Sequence, residues 1–479
     1  MVIKVIGWLL MVEACFMLFP MAVSWLYEEP DSVHAFAVSA AITFGSGMLM
    51  TFGTRPRRNT MFTRDGLLIT AFVWVVFSAF GMIPFLLTKA HTSITDAYFE
   101  TMSGFTTTGS TIFADVESLS HGLLLWRSLT QWIGGMGIIL FTLAVLPMLN
   151  SQGGIRLFNA EVSGLSHDKL RPRISQTAKS LWMVYIVLTF AAFGLLILGP
   201  MGWFDALCHA LSTVSTGGYS TKNASIGAWS SLYIYGVIAV FMFLGGTSFG
   251  LMYRSISQRT HLWKSETFCW YAIMIIVVAG LVGTKMCLTD NQPDALHSFA
   301  NAIFSVVTVM TSTGLTTIDY EQLGGFVSMA IFLLMFFGGM AGSTTGGAKI
   351  DRLILLIKSI RATFYNVLHP YTVTPIRINS RIVPAQVVNK SIAFLSVYLF
   401  VVIMGGVVLS VFDMPVYDSL FTSLSMTSNI GVGHGGTGIN GSFANLPDMC
   451  KWVLSFLMLV GRLEVYTVLI IFTKGFWKR

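Results

Sequence analysis

Long runs of apolar residues alternate with short polar segments along the whole 479-residue chain. A helix needs about 20 apolar residues to cross the hydrocarbon core of a bilayer. The runs therefore predict ten membrane-spanning helices, near residues 5–26, 34–53, 66–88, 122–148, 180–199, 230–252, 267–288, 323–347, 391–412 and 450–472. The first run is longer than the apolar part of a secretory signal, so we expect it to be retained as a helix.

Composition and charge placement support this topology. Charged residues make up 11% of the chain and hydrophobic residues 54%, whereas soluble domains average about 25% charged residues. Of the 29 Lys and Arg, 23 lie at residue 4 and in the segments 54–65, 149–179, 253–266, 348–390 and 473–479. Because cytoplasmic loops carry an excess of these residues, we expect a multi-pass protein with both termini in the cytoplasm. The basic charge is then a sign of topology and does not indicate a nucleic-acid partner.

One pattern occurs four times in the outward-facing connections. The copies read Asp96-AYFETMSGFTTTG-Ser110, Asp205-ALCHALSTVSTGG-Tyr219, Asn301-AIFSVVTVMTSTG-Leu315 and Asp418-SLFTSLSMTSNIG-Val432. In every copy the Asp or Asn precedes a glycine by 13 residues, and the glycines are Gly109, Gly218, Gly314 and Gly431. A small hydroxyl residue recurs between them, at Ser103, Ser212, Thr308 and Ser425. This constant register predicts four structural repeats from about residue 66 onward.

Each repeat predicts a full helix, a half-length helix, a loop and a second full helix. Asp or Asn is a favourable N-cap, and the next nine or so residues, such as Ala97–Phe105, would form a helix about 14 Å long, half the bilayer. Non-helical backbone at that depth must be buried in protein or line a water-filled path. We expect the four turns to meet around one axis, where helix C-termini and backbone carbonyls can bind a dehydrated cation. The alternative is four polar extracellular turns.

The four loops resemble the Trk/Ktr/HKT superfamily of potassium transporters, and most closely its bacterial TrkH/TrkG branch. The resemblance covers the whole chain and includes QWIGGMGIILF at 131–141, RPRISQTAKSLW at 171–182, GGMAGSTTGGAK at 338–349 and GRLEVYTVLIIF at 461–472. It implies an all-α polytopic membrane protein with four pseudo-repeats of helix, pore half-helix, loop and helix around one central pore, plus two extra N-terminal helices. The corresponding units are residues 1–60 for the extra helix pair and 61–150, 151–265, 266–360 and 361–479 for the repeats.

The resemblance also implies a function, which is potassium uptake across the bacterial inner membrane through a channel-like pore. K⁺ would be the transported ion, with no organic cofactor, in a homodimer gated by a cytosolic nucleotide-binding subunit of the TrkA type. The positions that hold ions in the family correspond here to Thr107, Thr108, Gly109, Thr216, Gly217, Gly218, Ser312, Thr313, Gly314, Asn429, Ile430 and Gly431. The basic cytoplasmic segments 150–179 and 358–390 are candidate docking surfaces, with contact to anionic membrane lipid as the alternative.

The eighth apolar run contains five glycines and three hydroxyl residues within Gly338–Gly347. Since glycine costs about 1 kcal/mol in a helix interior, we expect the helix to be interrupted there. In the family the corresponding loop is a gate, which would comprise Gly338, Gly339, Gly342, Ser343, Thr344, Thr345, Gly346, Gly347 and Lys349. The alternative is a tightly packed crossing of helices with small residues.

Charged residues within the spans are costly and usually functional or paired. Arg462 lies near the middle of the last span, so we expect it to face the pore as an electrostatic barrier or as a partner of the unwound segment. The family has a gating arginine at the matching position; the alternative is a structural pair with Glu464 or Asp448. Arg127, near the outer end of its span, is expected to snorkel towards water in a structural role. For Glu100 on the first half-helix, both a role at the mouth of the pore and a role in helix packing remain open.

Two other classes of function compete with a pore. An ion-coupled symporter, using H⁺ or Na⁺, would need titratable or broken-helix sites near the middle of the membrane. The repeats run in the same sense and the predicted filter segments lack carboxylates, which favours the pore. A membrane-embedded enzyme would need an intramembrane His/Asp/Glu or Ser/His constellation, and we find none in the sequence, so we expect no catalytic residues.

Overall fold

The structure is a computed structural model that describes residues 1–54, 62–90, 93–137, 174–288, 295–372, 374–439 and 441–477. Its helices are α1 (Val2–Leu26), α2 (Pro30–Gly53), α3 (Thr63–Gly81), α4 (Ile83–Leu87), α5 (Ile94–Phe105), α6 (His121–Gly135), α7 (Ile174–Ile197), α8 (Trp203–Val214), α9 (Leu232–Gly245), α10 (Phe249–Gln258), α11 (Glu266–Leu288), α12 (Ala295–Met310), α13 (Gly325–Met335), α14 (Ile350–Leu368), α15 (Ala385–Ser410), α16 (Val416–Thr427), α17 (Asp448–Arg462), α18 (Tyr466–Leu469) and α19 (Lys474–Trp477). In the described ranges, β structure is limited to a short antiparallel hairpin of β1 (Arg377–Ile378) and β2 (Arg381–Ile382). The end of the predicted span 122–148 and most of the candidate docking surface 150–179 lie outside the described residues.

The N-terminal pair α1 and α2 forms a hairpin that packs against the first repeat through α3 and α6. The two helices touch closely at Gly7 and Gly47, where a Cβ on either glycine would clash with the carbonyl oxygen of the other. Small residues allow such close approach between helices where lipid supplies no hydrophobic driving force. The predicted pair of extra spans is therefore present as a packed unit.

Among the described residues, six helices or continuous helix pairs are long and apolar enough to cross a membrane, and two further spans qualify only as bent pairs. The straight helices expected at 230–252 and 450–472 are broken, because α9 and α10 meet at 93° and the chain bends by 111° after α17. Between α13 and α14 no helix occupies residues 336–349, as the glycine density of the eighth run predicts.

Two of the outgoing helices, α6 and α17, touch the end of a half-helix through a glycine. A Cβ on Gly134 of α6 would clash with the carbonyl oxygen of Phe105, the last residue of α5. A Cβ on Gly461 of α17 would clash in the same way with the carbonyl oxygen of Thr427, at the end of α16. Glycine thus permits backbone contact between helix and half-helix, and it weakens the helix at the same place.

The half-helices are α5, α8, α12 and α16, and their starts differ from the prediction. Asp96, Asp205 and Asp418 lie in the first turn of their helices, which begin two residues earlier, and Asn301 lies inside α12. The predicted N-cap role is therefore wrong. The three carboxylates still stand where the partial positive charge of the helix N-terminus favours an anion.

Candidate functional site

Each half-helix ends in the same backbone cap. The amide of the residue before the repeated glycine donates to the carbonyl of the recurring small hydroxyl residue, with N···O distances of 2.8 Å for Thr108–Ser103, 2.9 Å for Gly217–Ser212, 2.8 Å for Thr313–Thr308 and 2.9 Å for Ile430–Ser425. The residue directly before the donating amide has a positive φ in all four copies, at Thr107 (53°), Thr216 (54°), Ser312 (49°) and Asn429 (55°). This is the bonding pattern of a Schellman C-cap. The sequence register therefore corresponds to a repeated backbone conformation.

The four repeated glycines meet in a closed ring. A Cβ on Gly109 would clash with the carbonyl oxygen of Gly217, and one on Gly218 with that of Thr313. A Cβ on Gly314 would clash with the carbonyl oxygen of Ile430, and one on Gly431 with that of Thr108, which returns the contact to the first repeat. All four glycines have φ between 81° and 88°, a region that side chains disfavour. We call these four residues the glycine ring; its closure excludes four separate extracellular turns.

Two cavities lie near the glycine ring and the non-helical stretch 336–349. One is lined by all four ring glycines and by loop residues that follow them, including Thr111, Lys222 and Phe443. The other is lined by residues of the non-helical stretch 336–349, by Trp74 and Met136, and by Arg462. The predicted gate residues and the four ring glycines therefore line two separate cavities.

The non-helical stretch 336–349, here called the inner segment, contacts the half-helix ends directly. The amide of Gly346 donates to the hydroxyl of Ser312 at 2.7 Å. The hydroxyls of Thr216 and Thr344 lie 3.2 Å apart, and Thr344 also donates to the carbonyl of Gly245 at 3.1 Å. The inner segment thus touches two of the positive-φ residues next to the glycine ring.

Arg462 joins the inner segment to the first repeat. Its guanidinium donates to the carbonyl of Thr344 at 2.6 Å and to the carbonyls of Gly134 and Gly135, at the end of α6, at 2.6 and 2.8 Å. Arg462 therefore contacts the unwound segment, which is one of the two arrangements expected for it. Glu464, the alternative partner, forms an ion pair with Arg352 at the start of α14.

Lys349 closes the inner segment just before α14 begins. Its side chain is buried, and its ammonium donates to the carbonyl of Thr345 and, at 3.1 Å, to the hydroxyl of the same residue. Lys349 and Arg462 both line the inner cavity. Two basic side chains therefore line this cavity.

Arg127 does not snorkel towards water. Its side chain is 2% exposed, its Nε lies 2.8 Å from the carboxylate of Glu100, and its guanidinium stacks over the ring of Tyr219 at 4.1 Å. The loops that follow the half-helices cover the outer end of α6. Arg127 is therefore shielded from water and pairs with a carboxylate instead. Glu100 also accepts from the amide of Ile112 at 3.0 Å. Its carboxylate is therefore paired inside the protein and is not exposed to solvent.

The outer loops carry a second polar cluster beside the fourth repeat. Both carboxylate oxygens of Glu321 lie 3.2 Å from the amide of Gly435, and Nδ1 of His434 lies 2.7 Å from Asp418. Burial raises the pKa of Glu321 above its ordinary value, and nearby His434 opposes this shift. These bonds fix the position of the loop that follows Gly431.

Three residues without a predicted role emerge only from the packing. Gln131 is fully buried and bonds to the second half-helix segment. Glu13 lies inside α1 and is fully buried, and within the described part of the chain neither of its carboxylate oxygens has a hydrogen-bond partner. Arg352 pairs with Glu464, as described above. The string around Gln131 marked the family resemblance, but no spacing rule linked it to a loop 86 residues away.

The fold and the site together define a class of protein. Apolar helices of membrane-spanning length, half-length helices and a shared ring of backbone segments are the features of a multi-pass membrane protein of the pore-loop type. The chain matches the TrkH family, described as cation transport proteins, at residues 32–271 and 267–478, and it belongs to this family.

The chain is similar over nearly its full length to proteins of known name. The Trk system potassium uptake protein TrkH of Halomonas elongata is 34% identical over 100% of this chain and 99% of its own length. The Trk system potassium uptake protein TrkG of Escherichia coli is 33% identical over 98% of this chain and 97% of its own. The crystal structure of the potassium transporter TrkH from Vibrio parahaemolyticus covers 100% of this chain with a TM-score of 0.89 and 31% identity. This likeness confirms the predicted all-α fold class and places the chain among transport proteins rather than enzymes.

Proposed function

We propose that this protein takes up K⁺ across the bacterial inner membrane by passive flow through the glycine ring. The single observation that carries the proposal is the closure of the ring, in which every repeated glycine contacts a carbonyl of the next repeat. The names of the relatives, potassium uptake proteins of full-length similarity, support the choice of ion. The membrane potential supplies about 2.3 kcal/mol per charge for each 100 mV.

Backbone groups supply the ion site. The twelve residues at and before the ring glycines present carbonyl oxygens that can replace the hydration shell of K⁺. Four half-helix C-termini add partial negative charge. Because Glu100 is neutralised by Arg127, the local field at the ring comes from these dipoles rather than from carboxylates.

The inner segment and Arg462 form the gate. Three hydrogen bonds of Arg462 hold the segment to α6, and the bonds of Thr344 and Gly346 hold it under the ring. The positive charge of Arg462 opposes an incoming cation: two like charges 4 Å apart repel by about 4 kcal/mol at an effective dielectric constant of 20. Opening requires the segment and Arg462 to move together.

The assembly follows the resemblance. We expect a homodimer with both termini in the cytoplasm, controlled by a TrkA-type nucleotide-binding subunit. The candidate docking surface at 358–390 includes the exposed Leu368 and Tyr371 at the end of α14 and the basic hairpin of β1 and β2. Anionic membrane lipid is the alternative ligand of this basic surface.

One observation favours the second candidate, which is symport of K⁺ with H⁺. Glu13 is a carboxyl group buried inside a predicted span, and it has no hydrogen-bond partner among the residues that the structure describes. Intramembrane carboxyls often serve proton relays. Isotope uptake into proteoliposomes decides between the two. Flux that follows the K⁺ gradient and is indifferent to ΔpH supports the pore, whereas uptake against that gradient driven by ΔpH supports symport. Competing Na⁺ and Rb⁺ in the same assay test the choice of ion.

A further inference from the structure

The four segments of the glycine ring differ at the residue directly before the glycine. In the first and third repeats this residue is a threonine, and its hydroxyl bonds to another threonine two positions earlier, at 2.8 Å for Thr108–Thr106 and 2.7 Å for Thr313–Thr311. In the second repeat it is Gly217, which has no side chain. The second segment therefore lacks the local bond that braces the first and third.

Gln131 occupies the space left by the missing side chain. A Cβ on Gly217 would clash with the amide group of Gln131, which belongs to α6 of the preceding repeat. Nε2 of Gln131 donates to the carbonyl of Gly217 at 2.7 Å. Its Oε1 accepts from the hydroxyl of Ser212 at 2.9 Å and from the amide of Tyr219 at 3.2 Å. One side chain thus bonds to the second segment before, at and after its turn.

The carbonyl held by Gln131 is part of the glycine ring. It is the oxygen that a Cβ on Gly109 would meet, so it lies at the junction of the first and second repeats. A carbonyl oxygen has two lone pairs, and the bond from Gln131 leaves one for an ion. Carbonyls that cannot move inward discriminate against the smaller Na⁺, while free ones can close around it.

We propose that Gln131 is a positioning residue that determines the K⁺/Na⁺ specificity of the pore by holding the Gly217 carbonyl at a fixed place. The inference rests on the proposed function, because it assumes that ions pass the glycine ring. In the second repeat, Gln131 of the first repeat thus takes the place of the threonine–threonine hydrogen bond found in the first and third repeats.

The test compares K⁺/Na⁺ permeability ratios of the full-length protein in proteoliposomes under bi-ionic conditions. Gln131→Leu removes all three hydrogen bonds, and Gln131→Glu removes only the donor to Gly217 while it keeps an acceptor for Ser212 and Tyr219. We expect both to lower the ratio by about threefold to tenfold, the effect of one or two lost hydrogen bonds. A protonated carboxyl can donate again, so lowering the pH should restore the ratio in Gln131→Glu but not in Gln131→Leu.

Ser128→Ala is the matched control, since Ser128 is buried on the same helix and donates to the carbonyl of Leu124 within it. We expect this variant to keep the wild-type ratio. An unchanged ratio in both Gln131 variants, an equal loss in Ser128→Ala, or no recovery of Gln131→Glu at low pH would overturn the inference. Failure of both Gln131 variants to fold would also overturn it, because the role would then be structural. If the wild-type protein itself shows no passive K⁺ flux, the proposed function fails instead.

Discussion

The side-chain amide of Asn429 donates to the hydroxyl of Thr108 at 3.0 Å, a bond that joins the last repeat to the first. The same amide donates to the carbonyl of Met458 in α17 at 2.9 Å. Asn429 has a positive φ of 55°, a conformation that asparagine tolerates better than most residues. Asn429 thus provides the positive-φ turn of the fourth segment, and its side chain bonds this segment both to α17 of the same repeat and to the first repeat.

A side chain on the ring should block transport. In Gly431→Ala the new Cβ would clash with the carbonyl of Thr108 at a φ of 88°, so the fourth segment must shift away from the first. We expect K⁺ uptake by proteoliposomes to fall by roughly tenfold or more, because alanine is strained where φ is positive. Gly436→Ala, in the same outer loop with no atom near its Cβ position, is the control. Normal uptake by Gly431→Ala would contradict the proposed ion path.

Loss of the Arg462 contacts should open the gate. Arg462→Ala removes three hydrogen bonds to carbonyls, each worth about 1.5–3 kcal/mol for a charged donor, and it removes a positive charge from the inner cavity. We expect basal K⁺ leak, measured without any regulatory subunit, to rise by about tenfold or more. Arg462→Lys keeps the charge but not the forked donor, so an intermediate leak separates the electrostatic part from the bonding part. A leak equal to that of the wild type in Arg462→Ala would rule out the barrier role.

Shortening the inner segment should have a similar effect. Deletion of Gly342–Thr345 removes the Thr344 bonds to Thr216 and Gly245, which leaves the stretch unable to fill the space under the ring. We expect a higher K⁺ leak than in the wild type, measured as isotope efflux. The control is Ser343→Ala, whose hydroxyl donates to Met340 inside the segment. Unchanged efflux in a deletion variant that folds would favour a purely structural segment.

The buried pair of Arg127 and Glu100 should matter for stability more than for conduction. Glu100→Leu leaves a buried guanidinium without its carboxylate, and breaking such a pair costs about 3–5 kcal/mol. We expect a clear fall in the thermal unfolding temperature in detergent. The double variant Glu100→Leu with Arg127→Leu should recover part of this loss, since no charge then stays unpaired. If Glu100→Leu were as stable as the wild type but altered the apparent KM for K⁺, the carboxylate would act at the mouth.

Several features of the fold follow from local sequence alone. The repeated spacing from Asp96 to Gly109 and its copies predicted four equivalent turns, because glycine adopts the positive φ of such a turn without steric cost. The interruption between α13 and α14 followed from glycine density for the same reason. The breaks after α9 and α17 were not expected, since apolar runs continue through them and the contact that favours the break lies in another helix.

Hydropathy and conformational preferences within a few residues were enough to predict the membrane class, the fourfold register and the residues that form the glycine ring. Three pairings became apparent only from the packing of the helices: Arg127 with Glu100, Arg462 with Thr344, and Gln131 with Gly217. Such pairings depend on which helices become neighbours, and residues far apart in the chain carry no periodic signal of one another. Which partner a buried polar side chain bonds to is therefore determined by the helices packed around it.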